Sequence, residues 1–298
     1  MSLDRLPPVL RLRYPGLRQL RQASGSDFVA SVLVRVRNEA KELPRFIESL
    51  RRQTVFEKIE LIVLDSESTD GTLSALSSID CSIYQIPKTE FSFGQTCNLL
   101  MALSTTEVNF FFSGHVCISS ERALEMASDD MLAGHTHAGF FRQIPNEVAG
   151  ASVYDRVFLK VAFPSSHRGR LGNAARFSNA ASVVSRRAWE MLWFPDVVFS
   201  EDALWATELA SKFGWGTSYY AAYTVEHSHN DAPKDVEHRV LLNAIARRAG
   251  WRHVLLAVAK FPLMVALLAH GGAPVRKATE YAVAHVSAYL QRATGRAE

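Results

Sequence analysis

Two neighbouring acids, Glu201 and Asp202, are the chain's clearest candidates for acid–base chemistry. They follow Ser200 at a predicted helix start, where acidic side chains favour the positive end of the helix dipole, so helix capping alone is a sufficient explanation for them. A carboxylate beside a cleft can also act as a general base that removes the proton from an attacking hydroxyl. Because adjacent helical residues point about 100° apart, we expect only one of the two acids to face a given atom.

Three histidines are candidates for holding a cation. His227 and His229 stand two residues apart at the end of a predicted strand, which places both rings on one face. A metal site needs three or more ligands, and His115 or a carboxylate can supply the missing one. A phosphate-bearing ligand can add oxygen atoms to a hard cation. Without such partners, two surface histidines remain the simpler interpretation.

A polar turn follows the apolar segment that ends on Asp65, and it reads IELIVLDSESTDGT from Ile59 to Thr72. Ligands of open α/β sheets lie outside the carboxyl ends of the strands, where Asp65 is placed. Asp70 can cap the helix that starts near Thr72. An ordinary strand-to-helix turn has the same composition, so a structural and a ligand-binding interpretation both stay open.

The elements that must position these side chains alternate between strand and helix. This alternation predicts an α/β fold with a mostly parallel sheet, in which His115 and Asp65 share one edge. Arg142 ends a later strand, and Gly94 is expected to permit a tight turn in a loop from Glu90 to Asn98. The predicted strands are Phe28–Val36, Ile59–Asp65, Ser82–Ile86, Val108–Phe112, a strand from Ala138, Asn179–Ser185 and Thr217–Val225; the predicted helices are Ala40–Gln53, Thr72–Ser78, Leu99–Leu103, Arg187–Leu192, one from Ser200 and those after Asp231.

The composition indicates a globular protein of 298 residues with 48% hydrophobic and 21% charged residues. We expect a basic N-terminal arm (1–27), a main domain (28–232) and a C-terminal helical extension (233–298). The segment from about 144 to 173 is expected to be rich in loops. A net charge of +3 is well short of a dedicated nucleic-acid binder, so no nucleic-acid partner is predicted.

Cysteine content and hydropathy bear on the compartment. Three cysteines without CxxC spacing predict neither a disulfide framework nor a zinc knuckle, which fits a reducing cytosol. The Arg-rich N terminus lacks the continuous apolar region of a secretory signal. Val254 to Ala269 is 16 residues long and mostly apolar, but Lys260 and Pro262 interrupt it. Since a bilayer crossing needs about 20 residues, we expect C-terminal helices that pack on the domain or lie on a membrane surface, with packing favoured.

The order and spacing of the motifs resemble family 2 glycosyltransferases, particularly their bacterial rhamnosyltransferase-like branch, over roughly Phe28 to Asn230. The segments that carry the resemblance are VRVRNEAKELPRFIESLRRQT, LDSESTDGT, FSFGQTCN, FFFSGHVCIS, GFFRQIPN, FSNAASVVSRRAWE, SEDALWA and VEHSHN. The resemblance implies a GT-A fold and an inverting transfer from a nucleotide sugar, such as dTDP-rhamnose or a UDP-sugar. It implies a hydroxyl of a cell-surface glycan or lipid-linked saccharide as the acceptor. The expected location is the cytoplasm, and peripheral contact of the C-terminal helices with the inner face of the plasma membrane stays open.

The resemblance also implies roles for individual residues. Asp202 is similar to the catalytic base of the family, with Glu201 as the second choice, and Asp65 is similar to the residue that holds the nucleobase. The implied nucleotide-binding residues are Asn38, Glu39, Asp65, Ser66, Ser68, Asp70, Gln95 and Asn98; the implied acceptor-side residues are Asn179, Trp189 and Arg142; the implied metal ligands are His115, His227 and His229.

Two departures from the family pattern affect the cofactor. Ser113, Gly114 and His115 stand where the family usually carries a DxD carboxylate motif for the metal-diphosphate. Either His115 helps to hold a divalent cation, Mn²⁺ or Mg²⁺, or the transfer is independent of metal; imidazole suits Mn²⁺ better than Mg²⁺. Cys97 replaces an arginine that relatives usually carry, which removes a positive charge expected near the donor phosphates.

Two other functions remain as alternatives. The lost carboxylate motif allows a catalytically weakened GT-A module that binds nucleotide sugar or glycan as a scaffold. A sugar-phosphate nucleotidyltransferase is disfavoured, because the first strand ends in VRVRNEA and lacks a glycine-rich phosphate loop.

Overall fold

The computed structural model describes residues 3, 6–166, 171–172, 174–229 and 231–295. The chain divides into two compact units. The first comprises residues 1–143, 165–196 and 201–227, and the second comprises 144–164, 197–200 and 228–298. The C-terminal extension predicted from residue 233 therefore belongs to a unit that begins near residue 228 and also takes in two earlier segments.

A mixed β-sheet carries the candidate site. Its strands are β1 (Arg18–Arg21), β2 (Ala30–Val36), β3 (Ile59–Asp65), β4 (Ser82–Gln85), β5 (Val108–Ser113), β6 (Cys117–Ile118), β7 (Ala138–Ile144), β8 (Leu171–Gly172), β9 (Ala181–Ser185) and β10 (Thr217–Glu226). The order is β1-β4-β3-β2-β5-β9-β7-β10-β6, with β8 also paired to β10. Parallel pairing holds from β4 to β5, whereas β9 runs antiparallel to both β5 and β7. The predicted α/β fold is confirmed, and the parallel pairings described are those that join β4, β3, β2 and β5.

The helices are α1 (Pro8–Arg13), α2 (Leu43–Arg51), α3 (Thr72–Ala75), α4 (Phe93–Leu103), α5 (Ala123–Leu132), α6 (Val153–Ala162), α7 (Arg186–Met191), α8 (Glu201–Phe213), α9 (Pro233–Ala246), α10 (Trp251–His270) and α11 (Val275–Ala293). Alternation along β2 places Val32 and Val34 in the core with Phe46 and Leu50 of α2. Arg35 lies on the opposite face of β2, where it contacts α4. Arg35 thus brings a charge to the edge of the sheet at which the parallel strands end, which we call the site edge.

The described part of the first 27 residues is not an arm. It forms α1 and β1, and β1 pairs antiparallel with β4 as the edge strand of the sheet. Leu10 and Tyr14 are buried. The guanidinium of Arg21 donates to the carbonyl oxygens of Leu76 and Ile79 at 2.9 Å each. Arg21, one of the basic residues that suggested an arm, instead caps backbone groups of the domain, so the described part of this segment is integrated into the sheet.

Two further segments differ from the prediction. Helix α4 begins at Phe93, so Gly94 lies in its first turn rather than in a loop. A Cβ atom at Gly94 would lie 1.9 Å from the carbonyl oxygen of Pro195, which shows that glycine is needed for close packing and not for a turn. The segment expected to be loops contains α6, whose start is fixed by a reciprocal capping box between Ser152 and Asp155.

The second unit packs α6, α9, α10 and α11 around Tyr154, Val236, Leu268 and Tyr281. Helix α10 runs unbroken through Lys260 and Pro262, the two residues that interrupt the apolar run in its sequence. Among the described residues, α10 is the helix with the length and mean hydropathy (1.8) to cross a membrane.

Candidate active site

The acid pair lies at the first turn of α8, close to the ends of other elements. The Asp202 carboxylate is held by two backbone groups: Asn179 N–H donates to Oδ2 at 2.9 Å and Ala203 N–H donates to Oδ1 at 2.7 Å. Asp202 is partly exposed, whereas the side chain of Glu201 is only 5% exposed. The helix start therefore gives the two acids different environments, and Asp202 is the more exposed residue of the two.

Arg35 supplies the positive charge that faces this pair. Its Nη1 atom lies 3.5 Å from Glu201 Oε1 and donates to the Phe93 carbonyl oxygen at 2.9 Å. The guanidinium also lies over the Phe93 ring, 5.6 Å from its centre. Arg35 thus connects the end of β2 to the starts of α4 and α8. The sequence offered one signal for this residue, since it is the only charge within the apolar run FVASVLVRV.

Burial changes the protonation of both acids. Burial and, to a smaller extent, the nearby charge of Asp202 together raise the pKa of Glu201 to about 7, although Arg35 opposes the shift. Burial also raises the pKa of Asp202, against the lowering effect of its two backbone hydrogen bonds and of Arg35. A general base whose pKa approaches the working pH transfers protons most effectively, so the environment of Asp202 suits that task.

Asn179 and Cys97 support the acid pair from behind. The Asn179 amide donates to Cys97 Sγ at 3.4 Å and accepts from the Ser182 hydroxyl at 2.8 Å. Cys97 Sγ lies 4.0 Å from Glu201 Oε1. Because Asn179 is buried and both ends of its amide are engaged, the structure places it under Asp202 and not on an acceptor surface.

His115 and His227 form a second cluster at the same edge of the sheet. Their Nε2 atoms lie 3.2 Å apart, and their rings stack with 5.2 Å between centres. His115 follows β5, and His227 follows β10. The Nδ1 atom of His115 lies 3.0 Å from Glu39 Oε1, and the Nδ1 atom of His227 lies 2.7 Å from Gln143 Oε1.

Each Nδ1 atom faces an oxygen atom to which a ring N–H can donate, and the two Nε2 atoms face each other at 3.2 Å. In that tautomer a cation between the rings would accept the lone pairs of both Nε2 atoms. Histidines whose second nitrogen is held by a carboxylate or an amide oxygen are typical of metal sites. The residues present therefore fit a divalent cation, and imidazole donors favour Mn²⁺ over Mg²⁺.

His229, the third predicted ligand, is exposed and stands two residues after His227, at the start of the last segment of the second unit. Its place as a ligand stays a prediction from the His-x-His spacing. Asn230, the last residue of the segments that carry the resemblance, lies outside the described residues.

The predicted nucleotide-binding residues tie together the loops after β2 and β3. Asn38 N–H donates to Ser68 Oγ at 2.9 Å, and Asn38 Oδ1 accepts from Thr69 N–H at 2.8 Å. Asp70 accepts from Ala40 N–H at 3.1 Å. Glu39 N–H similarly donates to Thr72 Oγ1 at 2.8 Å. The two loops form one braced surface that exposes Asn38 and Asp70.

Asp65 braces this surface from below. Its side chain is fully buried, accepts from Gln85 Nε2 at 2.8 Å, and faces Ser68 N–H at 3.2 Å. Ser66 is buried too, and its N–H donates to the Val36 carbonyl. Direct contact between Asp65 and a nucleobase remains a prediction. In the structure the Asp65 carboxylate stabilises the turn from Ser66 to Ser68.

Asn98 and Trp189 differ from their predicted roles. Asn98 Oδ1 accepts from Trp189 Nε1–H at 3.0 Å and from Phe194 N–H at 2.9 Å, while its amide nitrogen donates to Phe194 O and Gln95 Oε1. An asparagine side chain has two donors and two acceptor sites, so Asn98 has no capacity left for a nucleotide. Trp189 is 5% exposed and cannot line an acceptor surface. The hydrogen bonds of Asn98 thus join α4 to α7, through Trp189, and to the segment after α7, through Phe194. Gln95 is half-buried at the same junction.

Arg142, the remaining acceptor-side candidate, is partly buried on β7, beside Gln143. Sequence analysis assigned neither Gln143 nor Gln85 to the site, although Gln85 is the last residue of β4 and Gln143 the next-to-last residue of β7. In particular, the parallel register aligns Gln85 of β4 with Asp65 of β3.

Comparison with known proteins gives a family match across this region. The model for glycosyl transferase family 2 matches residues 31–190, which include every described loop of the braced surface, His115 and Asn179.

Similar sequences come from O-antigen biosynthesis in Salmonella. The chain is 26% identical over 219 residues to the O-antigen chain rhamnosyltransferase RfbN of Salmonella typhimurium, covering 69% of this chain and 68% of that protein. It is 29% identical over 185 residues to the O-antigen chain rhamnosyltransferase WbaN of Salmonella anatum, covering 59% of this chain and 58% of that protein.

Similar solved structures share the fold at low sequence identity. The mannosyltransferase PcManGT of Pyrobaculum calidifontis, in complex with GDP-Man and Mn²⁺, has a TM-score of 0.61 and 17% identity, and the match covers 92% of this chain and 90% of that one. TarS of S. aureus (residues 1–349), in complex with UDP-GlcNAc, has a TM-score of 0.53 and 14% identity, with 90% and 92% covered.

Proposed function

The chain belongs to glycosyl transferase family 2, and from that premise we propose that it is an inverting transferase in which Asp202 is the general base. It has the GT-A fold of the nucleotide-sugar enzymes that it resembles in structure. The observation that carries the proposal is the Asp202 carboxylate, which two backbone N–H groups hold at the site edge of the sheet while burial raises its pKa.

The proposed reaction is a single displacement. The acceptor hydroxyl oxygen forms a bond to the anomeric carbon of the donor, and Asp202 takes the hydroxyl proton. The bond from the anomeric carbon to the diphosphate oxygen breaks, and a nucleoside diphosphate leaves. Glu201 does not compete for the proton because it is buried against Arg35.

Binding of the donor is assigned to the braced surface and the histidine pair. Contact with the nucleoside is assigned to Asn38 and Asp70, which are exposed, and Asp65 holds the turn that contains Ser68. His115 and His227, with His229 as the predicted third ligand, would hold a divalent cation. Such a cation supplies positive charge to the leaving diphosphate.

The names of the Salmonella relatives support a narrower proposal. We assign the transfer of rhamnose from a nucleotide-activated donor, such as dTDP-rhamnose, to a lipid-linked saccharide used in surface polysaccharide synthesis, with a UDP-sugar as the second choice of donor. The location proposed is the cytoplasmic side of the membrane that carries this acceptor.

The scaffold alternative rests on one specific observation, which is that His115 stands where the family usually has a metal-binding carboxylate. A nucleotide-release assay over a panel of nucleotide sugars, each with Mn²⁺, with Mg²⁺ and with chelator, separates the two functions. Release from one donor supports the transferase and identifies the donor, and loss of release with chelator supports the histidine site. Tight nucleotide binding with no release, even after an acceptor screen, would favour the scaffold.

A further inference from the structure

The outer face of α10 is apolar and exposed. Helical periodicity directs Val254 and Leu268 into the core of the second unit. The rest of the helix circumference presents Leu255, Leu256 and Leu263, whose exposed fractions are 67%, 54% and 59%. Only 11% of the most apolar 18-residue window of this helix is buried. A helix that belonged to a closed hydrophobic core would show the reverse distribution.

A groove between α10 and α11 continues this apolar surface. Its volume is about 400 Å³. Its walls are almost entirely hydrocarbon, and Val258 and Val283 on its two sides are each about half exposed. The lining residues are Val258, Phe261, Pro262, Val283, Val286, Ser287 and Leu290. A contiguous apolar surface of this kind marks an interaction site.

Positive charge is concentrated in the part of the sequence that contains α10. The stretch from residue 247 to residue 277 contains six basic side chains and no aspartate or glutamate. It adds six positive charges to a chain whose net charge is +3, so the rest of the chain is net negative. All six are exposed, and Arg276 is paired with Glu280. The six are Arg247, Arg248, Arg252, Lys260, Arg276 and Lys277.

We propose that the outer face of α10, together with the α10–α11 groove, docks the protein on the surface of an anionic phospholipid bilayer. Apolar side chains enter the boundary between headgroups and acyl chains, the groove receives part of an acyl chain, and the basic side chains meet the lipid phosphates. A second copy of the chain is a poorer occupant, because it would bring the same positive charges to the contact.

The helix lies along the bilayer surface and does not cross it. Lys260 is exposed at the middle of α10, where a crossing helix would place an ammonium group at the centre of the hydrocarbon. One side of α10 is also committed to the protein core through Val254 and Leu268. This inference goes beyond the proposed function, and its test needs no glycosyl transfer.

The test is flotation of the full chain with vesicles of phosphatidylcholine alone or of phosphatidylcholine mixed with phosphatidylglycerol. We expect binding to the anionic vesicles that is at least about tenfold stronger than to neutral ones and that weakens at high salt. The variants Leu255→Asn with Leu263→Asn, and Arg252→Glu with Lys260→Glu, should each lose about tenfold or more of the binding.

Matched controls come from the first unit. Leu132→Asn replaces a leucine on α5 that is 58% exposed, and Lys58→Glu reverses an exposed charge; both should float like the wild type. Circular dichroism checks that each variant is folded, and the charge-reversal pair carries the test if the leucine pair fails that check. Equal flotation with neutral vesicles, wild-type flotation by both double variants, or a dimer that the double variants dissociate would each overturn the proposal.

Discussion

Arg35 Nη1 lies 3.5 Å from Glu201 Oε1, so the end of β2 places a fixed positive charge against the acid pair at the start of α8. The only other polar side-chain contact described for that oxygen is Cys97 Sγ at 4.0 Å. Cys97 stands where relatives of the resembled family usually carry an arginine. Arg35 supplies a positive charge in the same buried region, although that charge faces the Glu201 carboxylate.

The first prediction concerns the pH dependence of the reaction. Arg35 lowers the pKa of both Glu201 and Asp202. Replacing it with methionine should therefore raise the pKa of the base and move the acidic limb of the kcat profile to higher pH by about one unit. Arg35→Lys keeps the charge and should retain most of the original profile. Superimposable acidic limbs for the wild type and Arg35→Met would show that this guanidinium does not set the protonation of the base.

The second prediction concerns stability. Burial raises the pKa of Glu201 from 4.5 to about 7, so between these values the folded state binds more protons than the unfolded state. The contribution of Glu201 to the free energy of unfolding therefore decreases as the pH rises through that range, by up to about 3 kcal/mol. His285 has the opposite sign, since burial lowers its pKa from 6.5 to about 4.

Because the pH ranges affected by Glu201 and His285 overlap, the Glu201→Gln variant must be compared with the wild type at each pH. Urea unfolding at about pH 5 and about pH 8 should show that Glu201→Gln gains stability relative to the wild type at the higher pH. Glu190→Gln, at an exposed acid on α7, is the control and should leave the difference unchanged. A constant difference for Glu201→Gln at both pH values would contradict the buried, protonated acid.

The third prediction concerns the histidine pair. His115→Ala and His227→Ala should each abolish measurable Mn²⁺ binding in calorimetry, because each removes one nitrogen ligand. Gln143→Leu removes the oxygen that orients His227 and should weaken binding by about 10- to 100-fold. His135→Ala, at an exposed histidine on the surface, is the matched control. Unchanged Mn²⁺ affinity in both ligand variants would reject this site.

The fourth prediction distinguishes support from binding at Trp189. Trp189→Phe removes the N–H group that donates to Asn98 and leaves a buried acceptor with one partner fewer. The unfolding free energy should fall by about 1 to 2 kcal/mol. The KM values for donor and acceptor should not change. A rise in acceptor KM with unchanged stability would restore the original assignment of Trp189 to the acceptor side.

The strand ends were predictable from sequence because period-two burial and turn residues are local signals. Asp65, His115 and His227 were placed at the correct edge of the sheet on this basis. The strand in the N-terminal segment was not predictable. β1 is only four residues long and none of them is buried, so its sequence has no hydrophobic alternation, and it is a strand because it pairs with β4.

Contacts between distant residues were beyond sequence analysis. Asn98 resembled a ligand residue, but three of its four hydrogen bonds depend on Phe194 and Trp189, which are 96 and 91 residues away. The partner of Arg35 is likewise 166 positions along the chain. The order of the motifs was enough to identify the family. The residues that support the site could be told from those that face a ligand only once their hydrogen-bond partners were known.

The most direct test of the account is the turnover of Asp202→Asn with the donor and acceptor found by the panel. Asparagine keeps the size of the side chain but cannot take a proton, so kcat should fall by about 100-fold or more. Calorimetry should show unchanged donor affinity, and Glu190→Gln should turn over like the wild type. Turnover of Asp202→Asn at the wild-type rate, with intact donor binding, would contradict the assignment of Asp202 as the general base.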